Sequence, residues 1–213
     1  MIKLEKLTFN PFQENTYLLY DETGECVVID PGCLSQAERI HMKSTIEKMG
    51  LKPVKLIFTH LHLDHVFGSK FVADQWHLPV LAHADDEFFI GLAQASSARF
   101  GIQFDETPAP LTGHLKEGDT VGFGNSEVDV IHVPGHSPGG ICFYAKDEKI
   151  LVAGDVLFYS SVGRTDLAGG SHEQLIENIK GKLLALPDDV QVFPGHGPST
   201  TIGQERWQNP FLS

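Results

Sequence analysis

The chain has 213 residues, 41% apolar and 21% charged, with a net charge of −12 when its histidines are neutral. That length suits one domain with a full core, and the composition excludes intrinsic disorder. The charge argues against a nucleic-acid partner, which needs a basic footprint, and against an anionic membrane surface. No apolar run approaches the length of a membrane span, and Met1-Ile2-Lys3-Leu4-Glu5-Lys6-Leu7 alternates as a strand rather than a signal peptide. A cytoplasmic location is therefore expected. Three cysteines, Cys26, Cys33 and Cys142, give neither a disulfide framework nor a CxxC zinc pattern. Cys26 and Cys142 read as buried small hydrophobes, and Cys33 has no evident partner that would make it a catalytic thiol.

Residues 2–9, 15–20 and 25–30 read as three short strands separated by Asn10-Pro11 and Glu22-Thr23-Gly24. Pro31 takes the chain out of the sheet. Ser35 caps an expected helix over 36–49, with Ile40, Ile46 and Met49 as inward positions and Gly50 as the stop. Residues 54–58 form the next strand, 64–75 a helix with Val66, Phe67, Phe71 and Val72 inward, and 80–82 a short strand. A helix over 85–100 turns Phe88, Phe89, Leu92 and Phe100 toward a core, and the Pro- and Gly-containing stretch 101–118 is a long loop. Strands follow at 120–123, 127–133, 141–145 and 150–153, then a helix over 172–185 capped by Ser171, then a strand at 190–193. Both halves run strands, helix, strand ending in a histidine. That order suggests two sheets face to face with helices outside, a four-layer α/β arrangement.

The stretch Thr59-His60-Leu61-His62-Leu63-Asp64-His65 packs three histidines and an aspartate into six residues directly after a strand. All four are metal-ligand types. Three more ligand types, His136, Asp155 and His196, also follow apolar strands, so rigid elements can bring them to one cleft. His60 and His62 are two apart and point the same way in an extended segment. Asp64 and His65 open the following helix and turn toward a neighbouring ion. Asp155 is the strand-end carboxylate suited to bridge. The expected arrangement is one ion on His60, His62, His136 and Asp155 and a second on Asp64, His65, His196 and Asp155. Two ions about 3.5–4 Å apart supply a hydroxide nucleophile at neutral pH and polarise a carbonyl. Zinc is the first expectation, with iron or manganese as alternatives, and Asp64, His65 and Asp155 are the candidate catalytic residues. Hydrolysis of an activated acyl group follows, with no serine or cysteine nucleophile. Asp30, at a strand end, either orients a ligand histidine or simply forms its turn. His83 reads as a packing residue, His132 as structural, and His41, His77, His114 and His172 as surface residues.

These blocks resemble the metallo-β-lactamase superfamily: His60-x-His62-x-Asp64-His65, His136, Asp155 and His196 match its motifs in order over about residues 1–200. The resemblance implies the αββα sandwich. Within the superfamily, Pro134-Gly135-His136-Ser137-Pro138-Gly139-Gly140 and Gly154-Asp155-Val156-Leu157-Phe158 through Gly163-Arg164-Thr165-Asp166 resemble the glyoxalase II group, hydroxyacylglutathione hydrolases that cleave S-D-lactoylglutathione. Too few residues follow His196 for that group's C-terminal glutathione-binding helical domain, so the short single-domain members are the closer match. Pro198 stands where the group has a substrate-binding tyrosine. Arg164 stands where it has a lysine, and either holds a substrate carboxylate or pairs with Asp166. The expected partner is a small-molecule thioester. Persulfide dioxygenases, which use one iron, resemble the chain too, and lactone or other ester hydrolysis fits the same ligands. Flavodiiron proteins, with glutamate where His62 stands, do not.

Overall fold

The apolar runs Tyr17-Leu18-Leu19 and Cys26-Val27-Val28-Ile29 are buried at every position, as strands covered on both faces must be. The computed structural model describes residues 1–212 and shows what covers them. One six-stranded sheet runs in the order β1 (Lys3–Phe9), β2 (Glu14–Tyr20), β3 (Glu25–Ile29), β4 (Lys52–Ile57), β5 (Val80–Ala82), β6 (Gly113–His114). It is antiparallel from β1 to β3 and parallel from there on. The second half supplies β7 (Thr120–Phe123), β8 (Ser126–His132), β9 (Ile141–Ala145), β10 (Ile150–Gly154), a small hairpin of β11 (Leu157–Phe158) and β12 (Ser161–Val162), then β13 (Gln191–Pro194) and β14 (Thr200–Thr201). Its sheet is ordered β14-β13-β10-β9-β8-β7.

Alternation along the strands builds the layers. Tyr17, Leu19, Val27 and Ile29 point between the sheets, against Val121, Val130, Phe143 and Val152. Their neighbours Leu18, Cys26 and Val28 point outward, onto Met42 and Ile46 of α1 (Gln36–Lys48) and Val72 of α3 (Ser69–Trp76). On the far side Cys142, Leu151 and Val192 meet Leu175 of α5 (His172–Asn178) and Ile202 of α6 (Ile202–Gln208). The result is the expected four-layer αββα sandwich. Ser35 caps α1 as its sequence predicts, with a reciprocal bond from the Ser35 N–H to Glu38 Oε2 at 2.7 Å. Among the described residues no helix is long and apolar enough to cross a membrane.

Several local expectations are corrected. Ile40 is 59% exposed and Met42 is buried in its stead, while Ile46 is buried as expected. The expected helix at 85–100 opens with a 3₁₀ turn at Ala84–Asp86 and continues as α4 (Phe88–Arg99). Of its supposed core residues only Phe89 is buried; Phe88, Leu92 and Phe100 stay exposed, because α4 covers a cleft rather than a sheet. The 101–118 stretch contributes β6, which pairs with β5. The helix expected over 172–185 passes from α5 into a π-type turn at Ile179–Leu183.

The helix expected over 64–75 is broken into α2 (Leu63–Val66) and α3. The break has a cause. Gly68 N–H donates to Pro31 O at 2.7 Å. A methyl group on Gly68 would lie 2.3 Å from Cys33 Sγ and 2.7 Å from Pro31 O. The loop after β3 therefore presses directly on the chain that carries Asp64 and His65, and only glycine admits it. Gly68→Ala should lower stability by about 1–3 kcal/mol, read as a lower Tm and denaturation midpoint. An unchanged midpoint would mean that this contact relaxes freely.

Candidate metal centre

β3 and β4 are parallel, as are β10 and β13, and two antiparallel steps make β8 parallel to β10. The loops that follow β3, β4, β8, β10 and β13 therefore gather at one edge of the sandwich. There the sheets are bonded to each other. Ile141 N–H donates to Thr59 O at 2.8 Å, Asn15 N–H to Gly195 O at 2.7 Å, and the Tyr17 hydroxyl to Pro194 O at 2.6 Å. A methyl group on Gly195 would lie 2.2 Å from Asp155 Oδ1 and 2.7 Å from His65 Cε1. The glycine lets the end of β13 pass against the centre of the site.

All seven expected ligand residues meet at this edge. His136 Nε2 lies 2.8 Å from His62 Nδ1 and 3.2 Å from His60 Nε2, so three ring nitrogens converge. His196 Nε2 lies 3.0 Å from Asp64 Oδ2, and His65 Nε2 lies 3.8 Å from the same oxygen. These are two groups of three, each able to hold a metal ion. Asp155 stands between them: Oδ2 is 3.7 Å from His136 Nε2 and 3.6 Å from His196 Nε2, and Oδ1 is 3.5 Å from His65 Nε2.

Outer partners decide which nitrogen faces inward in four of the five rings. Nδ1 of His60 bonds to the Thr59 hydroxyl at 3.1 Å, Nδ1 of His65 to Asp30 Oδ2 at 3.1 Å, Nδ1 of His136 to Arg164 O at 2.7 Å, and Nδ1 of His196 to Phe12 O at 3.0 Å. Each pairing turns Nε2 toward the centre. Asp30 thus does both jobs weighed for it. It turns the chain at φ 49°, and its carboxylate accepts Thr59 N–H at 2.8 Å while orienting His65.

Whether cations fit can be judged from charge and from unpaired atoms. Glu14, Asp30, Asp64 and Asp155 all lie within 3.9 Å of His65, and among the described residues every ion pair they make is to a histidine. Burial opposes charge on His65, yet Asp64 and Asp155 hold its pKa well above the ordinary range. Burial likewise opposes charge on Asp155, and His65 nonetheless pulls its pKa down. Burial, then the neighbouring rings, pushes His60 well down, and burial with His136 takes His62 to about 3. Those two rings are neutral at pH 7 with lone pairs free. His62 Nε2, His65 Nε2 and Asp155 Oδ1 are buried with no hydrogen-bond partner, which is costly unless something else satisfies them. Excess carboxylates, convergent ring nitrogens and orphaned buried polar atoms fit divalent cations.

Two contributors had no mark in the sequence. Glu14 is buried, and burial raises its carboxyl well above the usual range; its Oε1 lies 3.9 Å from His65 Nδ1. Asp86, fully buried in the turn before α4, joins the two ligand loops. Its carboxylate accepts Leu61 N–H at 3.2 Å between His60 and His62, and Ser137 Oγ–H at 2.8 Å and Gly139 N–H at 2.6 Å just after His136. Burial raises its pKa against these bonds.

The remaining expectations sort cleanly. Arg164 lines the cleft, but its Nε and Nη2 are both held by Asp166 at 2.7 Å. His83 and His132 stack with planes 9° apart and 4.2 Å between centroids; ring-plane lone pairs of parallel rings do not converge, so this is packing. Cys33 is buried, and burial pushes its thiol up to about 12, which leaves no thiolate. The cleft over the centre has a volume of about 430 Å³.

A model of the metallo-β-lactamase superfamily matches residues 9–196. Similarity to known proteins runs over the whole chain. The hydroxyacylglutathione hydrolase GloC of Haemophilus influenzae is 35% identical over 213 residues, covering 100% of this chain and 99% of that protein. Among solved structures, the BLEG-1 B3 metallo-β-lactamase is 36% identical with a TM-score of 0.91, covering 99% of this chain and 100% of that one. TTHA1623, solved in a di-iron-bound form, is 38% identical with a TM-score of 0.87, covering 98% and 100%. The chain belongs to the metallo-β-lactamase superfamily. It is a metal-dependent hydrolase of that superfamily.

Asp86 yields a test of the geometry. Three donors converge on its two oxygens, and asparagine offers only one acceptor. Asp86→Asn should weaken metal binding roughly 10- to 100-fold, measured by competition with a chromophoric chelator. Unchanged affinity would show that the ligand loops hold their positions without it.

Proposed function

We propose that the chain hydrolyses a thioester, with a hydroxyacyl-glutathione as the substrate type, using two divalent ions. The paired donor sets sharing Asp155, with buried lone pairs that nothing in the chain satisfies, carry this reading. His60, His62 and His136 would hold one ion, Asp64, His65 and His196 the other, and Asp155 would serve both. Ions there supply Lewis acidity toward a carbonyl oxygen and lower the pKa of water to about 7. Zinc suits the histidine-rich set, and the di-iron form of TTHA1623 keeps iron in view.

The chain's own residues do the rest. Asp30, Thr59 and the carbonyls of Phe12 and Arg164 fix the rings, so the donor set is organised before substrate arrives. The cleft has an apolar side made by Phe12, Phe89, Leu92 and Leu167, which keeps water from the bulk of the substrate while its carbonyl meets the polar floor. Water adds to the thioester carbonyl and the thiol leaves, giving a carboxylic acid and a free thiol. The thioester preference draws support from full-length similarity to a protein named as a hydroxyacylglutathione hydrolase.

Metal analysis coupled to a substrate panel tests the reading. The expected result is two metal ions per chain, with turnover of S-lactoylglutathione well above that of a lactone or a β-lactam. Asp155→Ala should lose metal and cut turnover by more than the roughly 10- to 100-fold that loss of an outer partner costs. One iron per chain with oxygen uptake on glutathione persulfide would replace hydrolysis by dioxygenation. Full turnover in metal-depleted Asp155→Ala would overturn the centre itself.

A further inference from the structure

The chain has four arginines. Arg39 pairs with Glu106, Arg164 with Asp166 and Arg206 with Asp188. Arg99 makes no ion pair and no side-chain hydrogen bond among the described residues, yet it lines the cleft over the metal centre. Its neighbours on that wall are Phe89, Leu92, Ala93, Ser96 and Phe100. Their spacing of three and four residues places them on one face of α4, and Leu92 and Phe100 on that face stay 44% and 56% exposed. The face is therefore the wall of an open cleft. A place in the last helical turn suits a cation, but that alone gives it no reason to border the site.

The wall has a polarity along its length. At one end the Phe89 ring lies 4.6 Å from the His62 ring, which marks the reacting centre. Arg99 stands ten residues further along, roughly 15 Å at about 1.5 Å per residue. Helical side chains lean toward the helix N-terminus, so the guanidinium reaches back toward the centre. An arm of about three residues, roughly 10 Å when extended, would carry a carboxylate from the centre into its range. Apolar side chains line the path between. Arg164, the other arginine of the cleft, is already neutralised by Asp166 through two parallel bonds.

Resting on the thioester reading of the cleft, we infer that Arg99 is the specificity-determining cation of the site. It holds a carboxylate on the thiol half of the substrate, and so selects thiols of tripeptide size bearing a free carboxylate over neutral thiols. The guanidinium grips that carboxylate through its planar fork, and the exposed setting limits the gain to a modest factor.

Binding of an S-alkyl glutathione thioether, which cannot be hydrolysed, and of its dimethyl ester is measured by calorimetry on the metal-loaded protein. The wild type should bind the diacid roughly three- to tenfold tighter than the diester. That preference should shrink at high salt, vanish in Arg99→Ala and return in part in Arg99→Lys. In hydrolysis, Arg99→Ala should raise KM for S-lactoylglutathione by the same factor with kcat unchanged, and leave its dimethyl ester unaffected. Equal binding of diacid and diester by the wild type overturns the assignment, as does a preference that survives Arg99→Ala or disappears only in Arg164→Ala. If the wild type hydrolyses both thioesters alike, Arg99 fails while the thioesterase stands. If it hydrolyses neither but still prefers the diacid through Arg99, the thioesterase fails while the carboxylate site stands.

Discussion

Four carboxylates and five histidines share the seam between the two sheets, and among the described residues no lysine or arginine pairs with any of those acids. Buried carboxylates are costly unless paired, and here the charged partners inside the chain are histidines, so this edge of the fold favours positive charge brought in from outside. Much of the local architecture follows from that constraint. Asp30 leaves β3 in a left-handed turn, Gly195 lets β13 pass against Asp155, and Gly68 lets the loop after β3 press on the chain bearing Asp64 and His65. Each concession in backbone geometry brings a donor atom closer to a common centre.

The donors are held from behind more than from the front. Four of the five histidines spend Nδ1 on an acceptor outside the centre, two of them on backbone carbonyls from distant parts of the chain, Phe12 and Arg164. The His196–Phe12 bond crosses from the loop after β13 to the β1–β2 loop and so ties one sheet to the other; turning either ring would break its outer hydrogen bond. Asp86 works on the same principle, joining the Leu61 and Ser137 loops through one carboxylate. Sandwich packing and ligand orientation are thus one structural problem, and Thr59, Asn15 and Tyr17 belong to both.

The layers and the seven candidate ligand residues could be read from the sequence because each depends on a local pattern: a strand that ends in a loop carrying histidines or aspartates. What was not legible depends on distant contacts. Asp86 sits beside the exposed Asp85, and nothing local separates them; only the fold brings it to Leu61 and Ser137. Glu14 reads as an ordinary strand-start acid until β2 is placed against His65. Ile40 has the right residue type for an inward position, but Met42 and Ile46 give α1 the better fit to the sheet. Phe88, Leu92 and Phe100 read as core by composition alone, and periodicity cannot tell a helix that covers a sheet from one that walls a cleft. Arg164 reads as a partner of either a substrate carboxylate or Asp166, and in the structure its Nε and Nη2 both bond to Asp166.

That last assignment shifts the electrostatics of the cleft. Its floor carries Asp64 and Asp155; among the described residues its rim carries one arginine without an ion pair, Arg99, at the far end of a largely apolar wall. A substrate lying along such a cleft must be neutral where it reacts, apolar along its middle and anionic at its end. A thioester joined to a carboxylate-bearing thiol has that profile, and an acyl group alone does not. A substrate carboxylate is also better placed about a helix length from the floor than beside it, because next to the centre it would compete with Asp64 and Asp155 for the same cations. On the proposed reading the length of α4 is part of the selectivity: it separates Arg99 from the carboxylates of the metal centre.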